Sequence, residues 1–395
     1  MAERMTSRER LLCAIDRQEV DHVPCCFMSF TAMRGRVQDP YELVMRELEM
    51  GLDSYLFMPS GWRNLRPNNP DLRGLPVRLA EDVRTELWVE RLPGEEFAVL
   101  HKEYHSPAGT LTTLVRKTDD WPHGNAVPFI DDYQIPRAIK PLITKRSDLE
   151  ILRSLVAPPT ARDISAFHVE VERARYFRDR HGVLLAGGWG VLADMAAWLC
   201  GLENVMLMAL DDPELLDELL TFISEWNTQR MKVVLEAGVD LYIRRGWYES
   251  SDFWSPNLYR RFILPRLQKD GALIHSYGAR FGYNMTTGLM PMMDSIVASG
   301  VDVNLGVDPL QNAEKPLEQA RDRMGGKVCL WGGVNGAITV EEGSEEDVRR
   351  AVAYALELMR GVNGFVLSPV DNITEITPNA WKNVDVFIDA WQELR

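Results

Sequence analysis

An imidazole, a phenol and two carboxylates stand in this chain where catalytic groups of α/β enzymes are often found. The segment 271–278 is an apolar run that delivers His275 and Tyr277 just before a glycine. Such a run is typical of a buried parallel strand, and ligands of α/β folds bind where strands end. Glu249 and Asp371 follow two other predicted strands. We therefore expect His275, Glu249 and Asp371 to converge, either as ligands of a divalent metal such as zinc or as an acid–base set.

Each of these side chains also has a structural interpretation. His275 could be a satisfied core histidine. Glu249 could pair with a neighbouring arginine, and Asp371 could cap the turn at Thr374. No tight ligand spacing separates these alternatives, so both stay open at this point.

Aromatic and amide side chains at the same predicted strand ends could bind a small substrate. They are Trp189, Trp247, Asn304, Trp331 and Asn335. Glycines beside them would allow a ligand to approach the backbone closely, and the indoles would form flat apolar walls. Arg34 and Arg36, after the first predicted strand, could bind a carboxylate or could lie in a solvated loop. The sequence thus predicts an aromatic pocket with few charges.

A regular alternation of strands and helices would position these groups. The predicted strands cover residues 23–30, 53–58, 183–189, 241–245, 272–276, 301–305, 328–331 and 364–368. Eight βα units in a chain of 395 residues predict an α/β fold of the TIM (β/α)8 barrel type. An open doubly wound sheet is the alternative, but no G-x-G-x-x-G motif follows the first strand.

Residues 59–144 interrupt this alternation. The segments 85–91, 97–104 and 110–116 alternate polar and apolar residues, which predicts antiparallel strands. We expect a β-rich insertion that lies over the barrel mouth and helps to shape the substrate site. Residues 1–395 are accordingly interpreted as a single barrel domain that includes this insertion.

The composition excludes several classes of protein. The formal net charge of -14 argues against a surface that follows nucleic-acid phosphates. The five cysteines are scattered without a C-x-x-C pair, which fits reduced thiols better than a disulfide framework. No apolar run approaches the roughly 18 residues that span a bilayer, and the amino terminus lacks the apolar core of a signal peptide. We expect a cytoplasmic enzyme that binds neither membrane nor nucleic acid.

Five segments spread over nearly the whole chain carry a likeness to one known family. They are MTSRERLLCAI (5–15) with DHVP (21–24), GGWGV (187–191) with DDPELL (211–216), SPNLYRRFILP (255–265), IHSYG (274–278), and LWGG (330–333) with VLSP (366–369). In these segments the chain resembles the uroporphyrinogen decarboxylase superfamily. That superfamily contains the haem-pathway decarboxylase and the methyltransferases that serve corrinoid proteins. The resemblance implies a TIM barrel with its site at the carboxyl ends of the strands.

The segment SPAGTL (106–111) is similar to a Thr-Pro-x-Gly-Thr-Leu element that is common in the corrinoid methyltransferases. Those enzymes hold zinc with a His-x-Cys pair and a later Cys. Here Tyr277 stands in place of the first Cys, and Asp371 stands near the place of the second. The resemblance therefore implies either an oxygen-rich metal site built from His275, Asp371 and Glu249, or catalysis without a metal.

These observations predict a methyltransferase that moves a methyl group from a small methoxylated or methylated donor to a corrinoid protein. Aromatic compounds are among the candidate donors. His275 would act as metal ligand or general acid, and Tyr277 would assist as proton donor. A second hypothesis is a decarboxylase whose substrate carboxylate pairs with Arg34 and Arg36, with Asp371 or Tyr277 handling the proton. A third is a barrel without catalytic activity that binds a corrinoid protein. A homodimer is a further possible assembly.

Overall fold

The computed structural model describes residues 5–58, 71–72, 75–131, 134–190 and 192–395. The chain divides into two compact units, and each is described by itself. The first, called here the barrel unit, comprises residues 1–58, 171–188 and 235–395. The second, called here the insertion unit, comprises residues 59–170 and 189–234 and so extends beyond the predicted insertion 59–144. A single domain with its insertion over the mouth stays a prediction.

The strands that the structure describes are numbered in chain order. They are β1 (Tyr55–Phe57), β2 (Asp71–Leu72), β3 (Leu75–Pro76), β4 (Arg78–Leu79), β5 (Arg84–Glu90), β6 (Val99–Ser106), β7 (Gly109–Arg116), β8 (Ala138–Lys140), β9 (Val156–Ala157), β10 (Leu184–Gly190), β11 (Leu241–Arg245), β12 (Arg280–Asn284), β13 (Val303–Val307), β14 (Cys329–Asn335) and β15 (Phe365–Val370).

The α-helices are α1 (Ser7–Ile15), α2 (Pro40–Glu49), α3 (Arg146–Leu155), α4 (Ala161–His181), α5 (Ala193–Cys200), α6 (Leu202–Asp211), α7 (Pro213–Glu236), α8 (Pro256–Leu258), α9 (Leu264–Ser276), α10 (Met293–Ala298), α11 (Pro316–Met324), α12 (Glu345–Leu358) and α13 (Pro378–Leu394). Short 3₁₀ turns cover Thr31–Gly35, Trp247–Glu249 and Met290–Met292, and π-helical turns cover Tyr259–Ile263 and Gly336–Glu341.

The barrel unit is built on a seven-stranded sheet in the order β1-β10-β11-β12-β13-β14-β15. The segment 24–26 adds the eighth position. Cys25 forms a parallel bridge with Leu367 of β15, and the Cys26 N–H donates to the Leu367 carbonyl at 3.0 Å. On its other side, the Cys25 carbonyl accepts from the Asp53 N–H at 2.8 Å, just before β1. The segment thus connects the two edges of the sheet, and the predicted TIM-barrel fold is confirmed.

The surroundings of Gly282 identify the inner face of the barrel. A Cβ atom at this position would lie 3.1 Å from Leu305 Cδ1 and 3.3 Å from both Leu241 Cδ1 and Ile243 Cγ1. These side chains therefore meet inside the barrel around a residue that has no room for one of its own. Because side chains alternate along a strand, Arg245, two residues after Ile243, belongs to the same inner face.

The predicted strand at 272–276 is wrong. These residues are the last turns of α9, and the strand that occupies this place in the barrel is β12. Leu267, Gly271 and Ile274 are buried at helical spacing, so the apolar run forms one face of a helix. Gly278, with φ of 76°, ends the helix in the left-handed conformation. A short apolar run alone does not distinguish these two structures.

The insertion unit contains the antiparallel sheet β5-β6-β7-β8. Its first three strands confirm the predicted strands at 85–91, 97–104 and 110–116 within a few residues. Tyr104, Leu111 and Val115 are buried, so the central strands contribute to a core. Strand β5, in contrast, is exposed along its whole length.

No single helix in the described ranges has both the length and the apolar character needed to cross a membrane. The pair α5 and α6, which meet at a bend of 103°, satisfies the length and composition criteria when taken together. All eight residues of α5 are buried.

Candidate functional site

The carboxyl ends of β11 and β12 bring a guanidinium, an amide and an indole together on the inner face of the barrel. Arg245 and Asn284 are register partners at these strand ends and are 1% and 5% exposed. The Arg245 guanidinium lies 3.8 Å from the ring centroid of Trp247. Asn284 Oδ1 and Trp247 Nε1 are buried and have no hydrogen-bond partner among the described residues. Leaving such atoms unpaired costs about 1–3 kcal/mol each, so they are candidates for contact with a ligand.

Asp371 stands at the carboxyl end of β15, where the predicted site was expected. Its φ of 70° is uncommon for a residue with a side chain and indicates a locally strained backbone. The residue is solvent-exposed, yet partial desolvation by the surrounding protein raises the pKa of its carboxyl. Attraction to Arg245 opposes that rise, and repulsion from Asp308 and Glu341 adds to it. These four charged groups therefore act on one another at this end of the barrel.

Asp308 and Asn335 form a second polar pair at the carboxyl ends of β13 and β14. Asn335 Nδ2 donates to Asp308 Oδ2 at 2.7 Å, and its Oδ1 accepts from the Ile338 N–H at 2.7 Å. Desolvation raises the pKa of Asp308, although bonds from Leu310 and Asn335 oppose the rise. Asn335 is thus fixed by two bonds and holds Asp308 in place.

The turn after β15 is not capped by Asp371. Glu341 Oε1 accepts from the backbone N–H groups of Thr374 and Glu375. The structural role considered for Asp371 is therefore filled by another residue. Sequence reasoning missed Glu341, Arg245, Asn284 and Asp308. The available signal was their position at or just after a strand end, or, for Glu341, in the turn that follows β14.

The surroundings of Glu249 do not support the metal-binding and catalytic role that was predicted for it. Glu249 is fully buried, and both of its carboxylate oxygens are already bound. Oε1 lies 2.9 Å from Arg244 Nη2, and Oε2 accepts from the Tyr283 hydroxyl at 2.6 Å. Arg244 also pairs with Asp270 at 2.7 Å, and burial raises the pKa of Asp270 to about 6. Arg244 and Tyr283 are register partners on the outer face of the barrel, so this network stabilises the loop after β11 from behind.

His275 and Tyr277 lie at the opposite end of the strands. His275 Nε2 is 2.7 Å from Asp302 Oδ2, and the same oxygen accepts from the Phe281 N–H at 2.7 Å. Asp302 precedes β13 and Phe281 is the second residue of β12, so this cluster marks the amino ends of the strands. Tyr277 is the exposed C-cap of α9. The predicted convergence of His275 with Glu249 and Asp371 is therefore wrong, and so is the zinc site built from them.

Two of the predicted substrate-binding residues point away from an accessible surface. Trp331 is completely buried, and its indole N–H donates to the Cys26 carbonyl at 2.8 Å. Asn304 is the register partner of Tyr283, which places it on the outer face. Both of its side-chain polar atoms are buried and have no partner within the described part of the chain. Trp331 fills the barrel interior, and Asn304 faces the helical layer.

Arg34 and Arg36 lie near the carboxyl end of the first barrel segment, as predicted. Arg34 belongs to the 3₁₀ turn Thr31–Gly35. The Arg36 guanidinium stacks 3.5 Å from the ring centroid of Trp381, so much of this side chain is already engaged. Trp189 is the last residue but one of β10, and its side chain lies outside the described residues.

Thiolate ligands for zinc do not fit the carboxyl ends of the barrel unit. Cys25 and Cys26 are buried within the first barrel segment, and burial raises the pKa of both thiols. Cys329 begins β14 at the amino end, and Cys13 lies in α1. Among the described residues of this unit, the carboxyl ends offer oxygen and guanidinium groups instead. A thiolate-zinc centre is therefore not supported by the available donor atoms.

A group of potential metal ligands lies in the insertion unit. Glu86, Glu103 and His105 each place one ligand atom within 4.8 Å of the others. His105 Nδ1 is 3.0 Å from Thr110 Oγ1, and His105 Nε2 is 3.3 Å from Glu103 Oε2. Glu86 is exposed and the other two are partly exposed, and such groups of surface carboxylates and imidazoles are common without a bound ion.

Comparisons with known proteins agree with this architecture. The methylcobamide:CoM methyltransferase MtaA of Methanosarcina barkeri is 22% identical over 393 residues, which are 98% of each chain. The uroporphyrinogen decarboxylase of Streptomyces avermitilis is 28% identical over 172 residues, or 42% of this chain and 44% of that protein. A methyltransferase from Methanosarcina mazei has the same fold, with a TM-score of 0.62, 18% identity, and coverage of 98% of this chain and 99% of that one.

The family can be assigned from the sequence. The family model described as uroporphyrinogen decarboxylase (URO-D) matches residues 123–394, which is more than half of the chain. The predicted resemblance is confirmed, including its methyltransferase branch among the relatives. The chain belongs to the uroporphyrinogen decarboxylase family.

Proposed function

We propose that this protein is a methyltransferase that moves a methyl group from a small methoxylated or methylated donor to a corrinoid protein. One observation carries the proposal: the match to a methylcobamide methyltransferase runs over 98% of both chains. The match to a uroporphyrinogen decarboxylase covers 42% of this chain. The decarboxylase activity is therefore the weaker of the two inferences from the same family.

Arg245, Trp247 and Asn284 would bind the donor. The stacked guanidinium and indole form a flat surface that suits an aromatic ring or a planar anion. The unpaired Asn284 Oδ1 and Trp247 N–H add one acceptor and one donor beside it. This combination supports a donor that is planar and carries polar groups at its edge.

Asp371 would supply the proton that demethylation of a methoxy group requires. When the carbon–oxygen bond breaks, the methyl group passes to the corrinoid and the electron pair stays on the oxygen. A carboxyl with a raised pKa can deliver a proton to that oxygen, and the nearby Arg245 can stabilise its developing negative charge. The phenol or alcohol product then leaves, and Asp371 regains its proton from solvent.

The corrinoid would arrive on a partner protein as the methyl acceptor. We assign no step to zinc, because the strand ends of the barrel unit lack the thiolates that the related methyltransferases use. His275 and Tyr277 have no role in this proposal, since they lie at the amino ends of the strands.

The direct test is an anaerobic assay of the full chain with cob(I)alamin and a panel of methoxyarenes and methylated amines. Formation of methylcobalamin, followed by its visible spectrum, supports the proposal. A matched experiment supplies methylcobalamin and a thiol acceptor. It tests whether the corrinoid is the methyl donor rather than the methyl acceptor.

Two other outcomes would replace the proposal. Release of carbon dioxide from uroporphyrinogen, lowered by Arg34→Ala, would identify a decarboxylase. Tight binding of a corrinoid protein without turnover of any donor would identify a partner protein without catalytic activity. The engagement of Arg36 with Trp381 and the acidic groups Asp308 and Asp371 argue against a substrate that carries many carboxylates.

A further inference from the structure

Strand β5 is an edge strand of the sheet that the described residues of the insertion unit form. The sheet order is β5-β6-β7-β8, so among the described strands β5 pairs with β6 alone. All seven of its residues are exposed, including Leu87 at 36%, Trp88 at 40% and Val89 at 47%. The strand contains none of the lysines or prolines that commonly prevent edge strands from pairing. The opposite edge, β8, has three residues and offers a much shorter template.

We propose that two copies of this chain associate through β5, which pairs with its own copy in an antiparallel arrangement centred on Leu87. A two-fold axis at that residue makes the interface self-complementary, as in most symmetric dimers. The two four-stranded sheets then form one continuous eight-stranded sheet. The proposal does not depend on the reaction that the barrel catalyses.

The charges of β5 select this register. With Leu87 opposite its own copy, Arg84 of each chain lies opposite Glu90 of the other, which gives two pairs of opposite charge. The same faces still meet when the pairing is shifted by two residues in either direction. One shift places Glu86 opposite Glu86 of the second copy, and the other places it opposite Glu90. Either alternative sets like charges directly across the strands, which is destabilising. The centred register pairs all seven residues and avoids this repulsion.

The faces of the strand also agree with this register. Thr85, Leu87 and Val89 lie on one face, and opposite residues in an antiparallel pair share a face. Leu87 would meet Leu87 of the second copy, and Val89 would meet its Thr85. The other face would bring Glu86 beside Trp88, whose ring already stacks on His101 at 4.7 Å. Two exposed apolar side chains are thereby removed from water in each copy.

A charge-reversal series tests the pairing. The molecular mass of the full chain is measured by analytical ultracentrifugation from about 1 to about 100 μM, a range in which interfaces of modest area associate. We expect a dimer whose dissociation constant rises at least tenfold in Arg84→Glu and in Glu90→Arg, and recovers in the double variant. Arg162→Glu, which makes the same charge change at an exposed position of α4, is the control and should leave the dimer intact.

Cysteine cross-linking tests the register independently of affinity. In the centred register, two copies of residue 87 face each other at about 5 Å between Cα atoms, within reach of a disulfide. Two copies of residue 89 are separated by about 14 Å along the strands. Mild oxidation should therefore cross-link Leu87→Cys and leave Val89→Cys as a monomer on a non-reducing gel. The natural cysteines are buried or partly buried and serve as the background in both variants.

A monomeric wild-type chain at 100 μM would overturn the proposal, and so would a dimer that is indifferent to Arg84→Glu. Preferential cross-linking of Val89→Cys would show that the register is wrong. Failure of the double variant to recover a dimer would show that Arg84 and Glu90 do not face each other.

Discussion

Residues of the same types are paired to different degrees at the two ends of the barrel strands. At the amino ends, charged groups have close partners: Arg10 pairs with Asp21 at 2.6 Å, and His275 pairs with Asp302 at 2.7 Å. At the carboxyl ends, Asp371 is exposed with a strained backbone and a raised pKa, and Asn284 keeps an unpaired oxygen. A histidine or carboxylate is therefore a weak indicator of function by itself. The indicator that separates the two ends is whether the protein already satisfies the group.

Two adjacent residues of β11 repeat this contrast within one strand. Arg244 faces outward and is bound by Glu249 and Asp270. Arg245 faces inward, stacks on Trp247 and attracts Asp371. The first arginine stabilises the loop, and the second lies on the inner face, beside the indole of Trp247 and within the field of Asp371.

We expect the largest effect, a loss of stability, when an ion pair at the amino ends of the barrel strands is broken. Arg10 is buried between Asp21 and Asp53, so Arg10→Ala leaves a buried carboxylate without its cation. We expect the free energy of unfolding to fall by about 3–5 kcal/mol. Urea denaturation measures it, and a loss below about 1 kcal/mol would show that the amino-end pairs are not structural.

A substitution at the open end should affect catalysis more than stability. Arg245→Gln keeps a polar planar group but removes the charge that faces Asp371. We expect kcat/KM for methyl transfer to fall about a hundredfold, which corresponds to about 2.7 kcal/mol of transition-state stabilisation. Steady-state kinetics on the donor found in the panel measures this. Unchanged kinetics in a folded variant would remove Arg245 from the site.

A smaller effect is expected in the pH dependence of stability, which tests the ion pair between Arg10 and Asp21 at the amino ends of the strands. The side-chain hydrogen bond with Arg10 lowers the pKa of Asp21 to about 2, below the value near 3.9 of an unfolded chain. A lowered pKa gives stability that is present above pH 4 and is lost as the pH falls towards 2. Asp21→Asn should therefore cost about 2 kcal/mol at pH 7 and almost nothing at pH 2. Denaturation curves at the two pH values measure this difference, and a cost that does not vary with pH would argue against the ion pair.

Much of the fold could be predicted from the sequence because the alternation of strands and helices is regular. The strand Leu241–Arg245 has the predicted bounds. The insertion strands were predicted from their two-residue alternation, which a solvent-facing sheet requires. The family resemblance added the order of the segments along the whole chain.

The site could be predicted only in part, because it depends on which face of a strand each residue occupies. His275 was misplaced since the run 271–276 is apolar on one side of a helix, whereas the strand Arg280–Asn284 contains an arginine, a glycine and an asparagine. Arg244 and Arg245 are adjacent, and the sequence alone does not show which of the two faces into the barrel. Asp371 lies just after a strand end, as predicted, because that position does not depend on register; its role stays a prediction.

The most direct test of the account compares one residue from each end of the barrel. Asp371→Asn and His275→Gln are both substitutions of similar size, and neither side chain is buried. We expect kcat/KM for methylcobalamin formation to fall about a hundredfold in Asp371→Asn and to stay within about twofold of the wild type in His275→Gln. The reverse result, with activity lost in His275→Gln and kept in Asp371→Asn, would place the functional site at the other end of the strands.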